Sequence, residues 1–197
     1  MGSCRTYFAH STDREDRADW QPLAEHLHCV AELAREHAAK FGAGDWGFAA
    51  GLLHDLGKYA SAFQARLEGR PGRVDHSTAG ALEAGRRFGE ALARPLQFVV
   101  AGHHAGLANG GEEEDAGITS LSTRLRAVIP DCSVYRRDVE LPAELSRPRL
   151  VPHKNPRGRS DRAGFQGAFF TRMLFSCLVA ADYLDTERFY ERVEGRE

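Results

Sequence analysis

The sequence lacks several features that would place it in a specialised class of protein. Its 197 residues carry a formal net charge of only −2, so any nucleic-acid contact needs a local basic patch. Its four cysteines show no C-x-x-C spacing, which argues against a disulfide framework or a structural zinc site. The sequence shows no positively charged segment followed by an apolar one near residue 1, so we expect no signal peptide. We therefore expect a cytoplasmic protein with reduced thiols and no membrane segment.

The apolar residues recur at helical spacing, without β-strand alternation or an internal repeat. The spacing predicts helices over residues 20–41, 45–56, 77–93 and 95–104, a short helix containing Phe63 and Leu67, and one marked by Ile118, Leu121, Leu125 and Val128. A last helix over residues 164–187 is apolar nearly all round and is expected to be the central rod of the core. Thr171, Arg172 and Asp182 interrupt it, which favours a buried helix over a membrane span. The sequence thus predicts an all-α fold in a single domain over residues 1–197.

Residues 130–163 interrupt the helical pattern. They contain five prolines and little periodicity, so a long irregular insertion is expected before the last core helix. Six basic residues and one acid lie between Arg147 and Arg162, and a single-stranded DNA track would need such a segment. Arg157 and Arg159 are the candidate DNA-binding residues. Because no aromatic residues interleave with them, a solvated loop or a docking surface for a partner is the favoured alternative.

Histidine and aspartate residues stand repeatedly at helix ends or on apolar faces, where burial is costly unless a cation compensates. An isolated pair such as His54-Asp55 would more often be a core histidine beside its neighbour. Five separate sets of this kind, however, argue against coincidence. The seven candidate metal ligands are His26, His54, Asp55, His76, His103, His104 and Asp182.

Imidazole and carboxylate ligands together suit divalent transition metals, with Mn, Fe, Co and Ni foremost and Mg or Zn also able to bind. Seven ligands are too many for one ion that keeps open positions. They suit two ions that share a bridging carboxylate, the arrangement that clamps a phosphoryl group during displacement. The residue types therefore predict a two-metal hydrolase and leave its substrate open.

The segments around these residues carry a resemblance to a known family. The order H…HD…H…HH…D resembles the HD phosphohydrolase superfamily. The segments at 51–59 (GLLHDLGKY), 74–81 (VDHSTAGA), 102–107 (GHHAGL) and 181–187 (ADYLDTE) are similar to the HD nuclease domain of the type I CRISPR-associated nuclease-helicase. This resemblance extends over residues 7–187.

The resemblance implies an HD-domain helical bundle and a metal-dependent nuclease. Such a nuclease cuts the single-stranded DNA that a crRNA-guided surveillance complex displaces during CRISPR interference. The resemblance assigns His26, His54, Asp55 and Asp182 to one ion, and makes Asp55 the bridge to a second ion held by His76, His103 and His104. It also implies that Lys58 faces the scissile phosphate as an electrostatic stabiliser, so that Asp55 and Lys58 are the catalytic residues.

Two further residue patterns qualify the resemblance. His10, in an early Ala-His-Ser, is expected to have a structural or entrance role and not to be a ligand. The glycines around Lys58 do not form a phosphate loop, because five residues separate them and no Ser or Thr follows the lysine. The helicase that such a nuclease needs is therefore expected as a separate polypeptide or as another part of a longer protein.

Two other functions stay open at this point. One is an HD phosphohydrolase acting on nucleotides or cyclic dinucleotides, which the same ligands would permit equally. The other is a non-catalytic module whose metals only hold the fold together while the chain recruits a helicase. Seven intact ligands and Lys58 weigh against the module.

Overall fold

The computed structural model describes residues 5–111, 120–148 and 162–196. Within these residues the chain is a helical bundle with one short two-stranded ladder. Its α-helices are α1 Leu23–Ala39, α2 Gly44–Leu53, α3 Ser61–Leu67, α4 Ser77–Phe88, α5 Glu90–Gly102, α6 Leu121–Leu125 and α7 Arg162–Glu194. The strands are β1 Phe8–His10 and β2 Gln21–Pro22, and 3-10 turns lie at Leu56–Tyr59 and Ser133–Arg137. The predicted all-α helical bundle is confirmed.

The close packing of α1 against α2 places the helix that carries His26 beside the helix that leads into His54. Gly47 and Gly51 of α2 lie directly against the backbone of Ala34 and Ala31 in α1, so a Cβ at either glycine would collide with that backbone. Small residues on both helices therefore allow an unusually close approach. As a result, the end of α2, which leads into His54, is held against the buried face of α1.

Within the described residues, helix α7 packs on α1, α2 and α5 through one face. Leu174, Leu178 and Ala181 on that face are fully buried. On the opposite face, by contrast, Phe165 is 70% exposed and Tyr183 is 66% exposed. The prediction of a central rod buried all round is therefore wrong. By length and composition Gly164–Glu194 could also cross a membrane, but the core helix of a soluble protein passes the same test.

The helix predicted over residues 45–56 ends at Leu53, because a tertiary contact redirects the chain there. The amide of Gly57 donates a hydrogen bond to the carbonyl oxygen of His76 at 3.1 Å. The chain leaves the α-helical path after Leu53 to make this contact and continues as the 3-10 turn at Leu56–Tyr59. Asp55 thereby comes beside the segment that carries His76.

Three other predicted boundaries are corrected. The predicted helix over 20–41 begins only at Leu23, because Gln21–Pro22 pairs antiparallel with β1. The break between α4 and α5 lies at Gly89, which adopts a φ of 79°, and Pro95 lies inside α5. The helix marked by Ile118 to Val128 is described only as α6, Leu121–Leu125, and the Val128 side chain is fully exposed.

The predicted irregular insertion is described as far as residue 148. In this part it forms only the turn at Ser133–Arg137, between otherwise irregular segments. Arg157 and Arg159 lie outside the described residues, so their predicted DNA contact stays a prediction. The assignment of residues 1–197 to one domain also stays a prediction.

Candidate metal centre

All seven predicted ligand residues come together in two adjacent groups. The ligand atoms of Asp55, His76, His103 and His104 lie within 4.8 Å of one another, and those of His26, His54 and Asp182 do so as well. The two groups differ in exposure: His26 and His54 are fully buried, whereas His104 is exposed. We call His26, His54 and Asp182 the sealed half, and His76, His103 and His104 the open half.

The carboxylate of Asp55 lies between the two halves and turns one oxygen toward each. Its Oδ2 atom is 3.5 Å from His26 Nε2 and 3.4 Å from His54 Nε2. Its Oδ1 atom is 3.4 Å from both His76 Nε2 and His103 Nε2. This is the orientation that a carboxylate bridging two ions requires.

Most of the candidate ligands lie at the ends of secondary-structure elements. His54 and Asp55 follow α2, His76 precedes α4, and His103 and His104 follow α5. His26 instead lies in the first turn of α1, on its buried face beside Leu23 and Leu27, while His28 is exposed. Because residues two apart on a helix point about 200° apart, His26 reaches the buried face and His28 does not.

Four of the imidazoles are held in one tautomer by a hydrogen bond at Nδ1. Their Nδ1 atoms lie 2.7 Å from Gly51 O (His54), 2.7 Å from Val100 O (His103), 3.2 Å from Val74 O (His76) and 2.7 Å from Asp185 Oδ2 (His26). Carbonyl and carboxylate oxygens only accept hydrogen bonds, so each Nδ1 atom carries a proton. In the neutral ring, Nε2 then presents a lone pair to the centre, as metal-binding histidines do.

The donor atoms fit a cation in each half. His26 Nε2 is 3.2 Å from His54 Nε2, and His76 Nε2 is 2.8 Å from His104 Nε2. Two lone pairs at such distances repel unless a proton or a metal ion lies between them. Among the described residues, both carboxylate oxygens of Asp55 and Nε2 of His103 are buried without a hydrogen-bond partner. A metal ion in each half would satisfy all of these atoms.

The two halves have opposite electrostatics. Burial lowers the pKa of His54, but the carboxylates of Asp55 and Asp182 outweigh it and raise that pKa to about 10. Burial and the neighbouring His103 instead lower the pKa of His104 to about 4. Burial also lowers the pKa of His76. Without a metal, the sealed half therefore holds a proton at neutral pH, and His76 and His104 of the open half are neutral.

Lys58 is buried beside Asp55. Its ammonium nitrogen is 2.6 Å from Asp55 Oδ2 and forms an ion pair with it, although the angles are not those of a hydrogen bond. The same ammonium donates a hydrogen bond to the carbonyl oxygen of Ala9 at 3.2 Å. Together with His54, this charge holds the pKa of Asp55 far below its ordinary range, although burial acts in the opposite direction. The predicted role of Lys58 toward a scissile phosphate stays a prediction.

His10 lies next to the sealed half without joining it. Its ring packs edge-on against His26 at 5.1 Å between centroids and stacks on Phe189 at 5.8 Å. Burial and the positive charge of Lys58 lower the pKa of His10 to about 3. Because its ligand atoms belong to neither group, His10 is placed as a packing residue at the edge of the centre.

Sequence reasoning missed Asp185, which orients His26. Its Oδ2 atom accepts hydrogen bonds from Nδ1 of His26 at 2.7 Å and from Nε2 of Gln21 at 2.8 Å. A carboxylate behind a metal-binding histidine fixes its tautomer and raises its basicity. The available signal was the spacing to Asp182, because residues three apart on a helix lie on neighbouring positions of one face.

Arg124 of α6 was missed as well, and it ties together the segments that carry the open half. It donates to Ser77 Oγ at 2.7 Å, to Thr78 Oγ1 at 3.0 Å and to the carbonyl of Ala101. It also pairs with Asp75 at 3.2 Å. The start of α4 and the end of α5 are thereby held in one register. No sequence signal marked this arginine.

The start of α4 is capped by the residue before His76. The carboxylate of Asp75 accepts from the backbone amides of Ser77 and Thr78, each at 3.1 Å. This cap fixes the turn that contains His76. His76 is therefore held on both sides, by the Asp75 cap and by its own bond to Val74.

One comparison with known proteins identifies a family. The sequence model of the protein family described as HD domain matches residues 23–129, which is more than half of the chain. No protein of curated function matches the sequence. The matched range contains every ligand of the centre except Asp182, which α7 contributes from outside it.

Proposed function

The chain belongs to the HD domain family of metal-dependent phosphohydrolases, and from that premise we propose that it is a nuclease that hydrolyses single-stranded DNA in type I CRISPR interference. The observation that carries the proposal is the carboxylate of Asp55, with one oxygen toward each half of the centre. Two ions held in this way are suited to the in-line displacement of a phosphodiester. The choice of single-stranded DNA rests on the resemblance of the segments around Lys58, His76, His104 and Asp182.

The proposed chemistry divides between the bound ions and the chain. Divalent ions supply a Lewis acid for a non-bridging phosphate oxygen and lower the pKa of a bound water. The imidazoles, fixed through Nδ1, hold ligand positions without reorganisation during the reaction. Lys58 adds a positive charge beside Asp55, where it can stabilise negative charge that develops on the phosphate. The exposed His104 marks the side from which a substrate reaches the centre.

The ligand types set the metals and partners that we propose. Histidine-rich sites with carboxylates favour Mn, Fe, Co or Ni, with Mg and Zn as further possibilities. The partners would be single-stranded DNA, the CRISPR-associated helicase, on the same or a separate polypeptide, and the crRNA-guided surveillance complex. The setting would be the cytoplasm.

A second candidate function is hydrolysis of nucleotides or cyclic dinucleotides. One observation favours it: a cleft of about 490 Å³ opens beside His76 and His104, and this volume suits a small ligand. The same cleft also suits a segment of a polynucleotide.

The test loads the protein with Mn²⁺, Fe²⁺, Co²⁺ or Ni²⁺ and offers single-stranded DNA, mononucleotides and cyclic dinucleotides in parallel. Asp55→Asn is the inactive variant, and Asp13→Asn, an exposed aspartate outside both halves, is its control. We expect cleavage of DNA by the wild type and by Asp13→Asn, and none by Asp55→Asn. Hydrolysis of nucleotides alone would establish the second candidate. No hydrolysis with any metal would favour a non-catalytic module.

A further inference from the structure

The cleft beside the open half has an excess of positive charge. His76 and His104 lie in its wall, together with Arg66, Arg73 and Arg124. Within the described parts of the chain, Asp75 is the one acidic residue of the lining, and Arg124 already pairs with it at 3.2 Å. Two guanidinium groups, those of Arg66 and Arg73, therefore remain without a compensating charge in the wall.

The other contacts of these two arginines leave their charge available. In residues 5–111, 120–148 and 162–196, neither guanidinium has an ion pair or a hydrogen bond, and both side chains are exposed. The Arg66 Cζ atom lies 6.0 Å from the ring centroid of Phe63, and the Phe63 ring packs 5.0 Å from the ring of His76. Phe63 thus connects Arg66 to a ligand of the open half and keeps it close to the centre.

The groove beside the sealed half has the opposite charge. It has a volume of about 540 Å³ and is lined by Glu25, Glu32, Glu36 and Asp185 against two arginines, Arg188 and Arg192. Like charges repel a polyanion from such a surface, whereas a basic cleft attracts it. A nucleic-acid strand should therefore approach the centre from the side of His104.

We propose that the cleft binds backbone phosphates on one side of the scissile phosphodiester, with Arg66 and Arg73 each contacting a phosphate. This inference rests on the proposed nuclease function and adds to it a binding site for the flanking strand. A guanidinium group binds a phosphate with two parallel hydrogen bonds, and such contacts position a strand without reading its sequence. A mononucleotide has no flanking phosphate and gains nothing from these arginines.

The first test compares a polymer with a substrate that has a single phosphate. The metal-loaded protein and its Arg66→Gln, Arg73→Gln and double variants are assayed on oligothymidine and on bis(p-nitrophenyl) phosphate. Arg70→Gln is the matched control, because Arg70 is exposed in the same segment but lies outside the cleft. We expect each single variant to lower kcat/KM on oligothymidine about tenfold, mostly through KM, and to reduce the salt slope by about one. Hydrolysis of bis(p-nitrophenyl) phosphate should not change.

The second test removes the charge from the DNA instead of the protein. One neutral methylphosphonate linkage is moved step by step along the oligothymidine. For the wild type, we expect a loss of kcat/KM when the neutral linkage lies near the cleavage point on one side only. The Arg66→Gln, Arg73→Gln double variant should be insensitive to the same linkage, because the charge contact is already gone.

Each outcome bears on the inference separately from the proposed function. If the Arg66 and Arg73 variants behave like Arg70→Gln, the cleft does not bind the strand and the inference is wrong. An equal loss of activity on bis(p-nitrophenyl) phosphate would also contradict it, since the arginines would then act on the centre itself. If the wild-type protein does not cleave oligothymidine, the proposed nuclease function is contradicted. In that case, fluorescence anisotropy with labelled oligothymidine tests the cleft alone: weaker binding by the double variant supports it, and equal binding overturns it.

Discussion

The sealed half and the open half of the centre use the same ligand chemistry in different surroundings. His26 and His54 are fully buried and come from α1 and the end of α2, while Asp182 comes from α7. The open half is built from the segments beside α4 and α5, and its His104 faces solvent and a basic cleft. Metal binding in the sealed half would therefore depend on the packing of the core, and metal binding in the open half would depend on the approach of a ligand.

Their outer partners differ in the same way. The sealed half relies on the Asp185 carboxylate behind His26, so its basicity depends on a charged residue of α7. His76 and His103 of the open half donate to backbone carbonyls, as His54 does in the sealed half, and Arg124 keeps the segments around the open half in register. A carboxylate thus orients one histidine of the sealed half, and a network around the half-buried Arg124 supports the open half. This difference leads to four predictions, in order of decreasing effect.

The largest effect is expected where the two halves meet. Asp55→Asn removes the carboxylate that serves both halves but keeps the shape of the side chain. We expect the loss of at least one bound ion and a fall in kcat of about a thousand-fold or more, as for groups that act in the transition state. Metal analysis and kinetics on the same samples check this. Two ions retained at full affinity would contradict a bridging role.

A second prediction concerns the stability of the metal-free protein. His26→Ala leaves Asp185 without its imidazole partner next to a core position, so we expect a loss of about 3 kcal/mol in the free energy of unfolding. His104→Ala removes an exposed side chain, and the change should stay within about 0.5 kcal/mol. Urea unfolding in the presence of a chelator measures both. Equal losses would remove the distinction between a sealed and an open half.

A third prediction removes the outer partners one at a time. Asp185→Ala should lower the metal affinity of the sealed half about 10–100-fold, which is the usual effect of removing a residue that hydrogen-bonds a metal ligand. Arg124→Gln should lower only the metal affinity of the open half, because it loosens the segments around His76 and His103. Calorimetric titration with Co²⁺ separates the two steps. Glu187→Ala, an exposed acid on α7, is the control, and an equal effect of this variant would contradict the assignment of Asp185.

The smallest effect is a difference in pH dependence. With a pKa of about 10, His54 carries a proton that an ion in the sealed half must displace. Raising the pH from 6.5 to 7.5 should therefore strengthen binding in the sealed half about tenfold. His104, with a pKa of about 4, is already neutral in this range and holds no proton for an ion to displace, so the pH dependence in the open half should be the weaker one.

Two variants isolate the halves for this measurement. His104→Ala leaves the sealed half intact, and Asp182→Asn leaves the open half intact. Each is titrated with Co²⁺ at three pH values. The same slope in both variants would show that proton displacement does not distinguish the halves.

The candidate ligands left a clearer signal in the sequence than the residues that orient them. A helical period distinguishes His26 from His28, and a set of histidines at helix ends predicts a shared centre without any knowledge of angles. The role of Asp185 depends on the rotation of α7 against α1, which the spacing of residues along one helix does not define. Arg124 acts through contacts with residues 23 to 49 positions away, which leave no local pattern.

The fold shows the same division between local and long-range information. Apolar spacing predicted most of the helices, but not their ends where a tertiary contact decides them, as the bond from Gly57 to His76 does after α2. The apolar circumference of α7 predicted full burial, whereas the bundle covers one face and leaves Phe165 and Tyr183 exposed. Propensity describes a segment alone, and packing partners decide how much of it is buried.

The most direct test of the central claim is anomalous diffraction from crystals of the protein grown with Mn²⁺. We predict two anomalous peaks about 3.5–4 Å apart, one in each half, with the carboxylate of Asp55 bound to both. A single peak, or two peaks that share no Asp55 oxygen, would contradict the two-metal centre on which the proposed function depends.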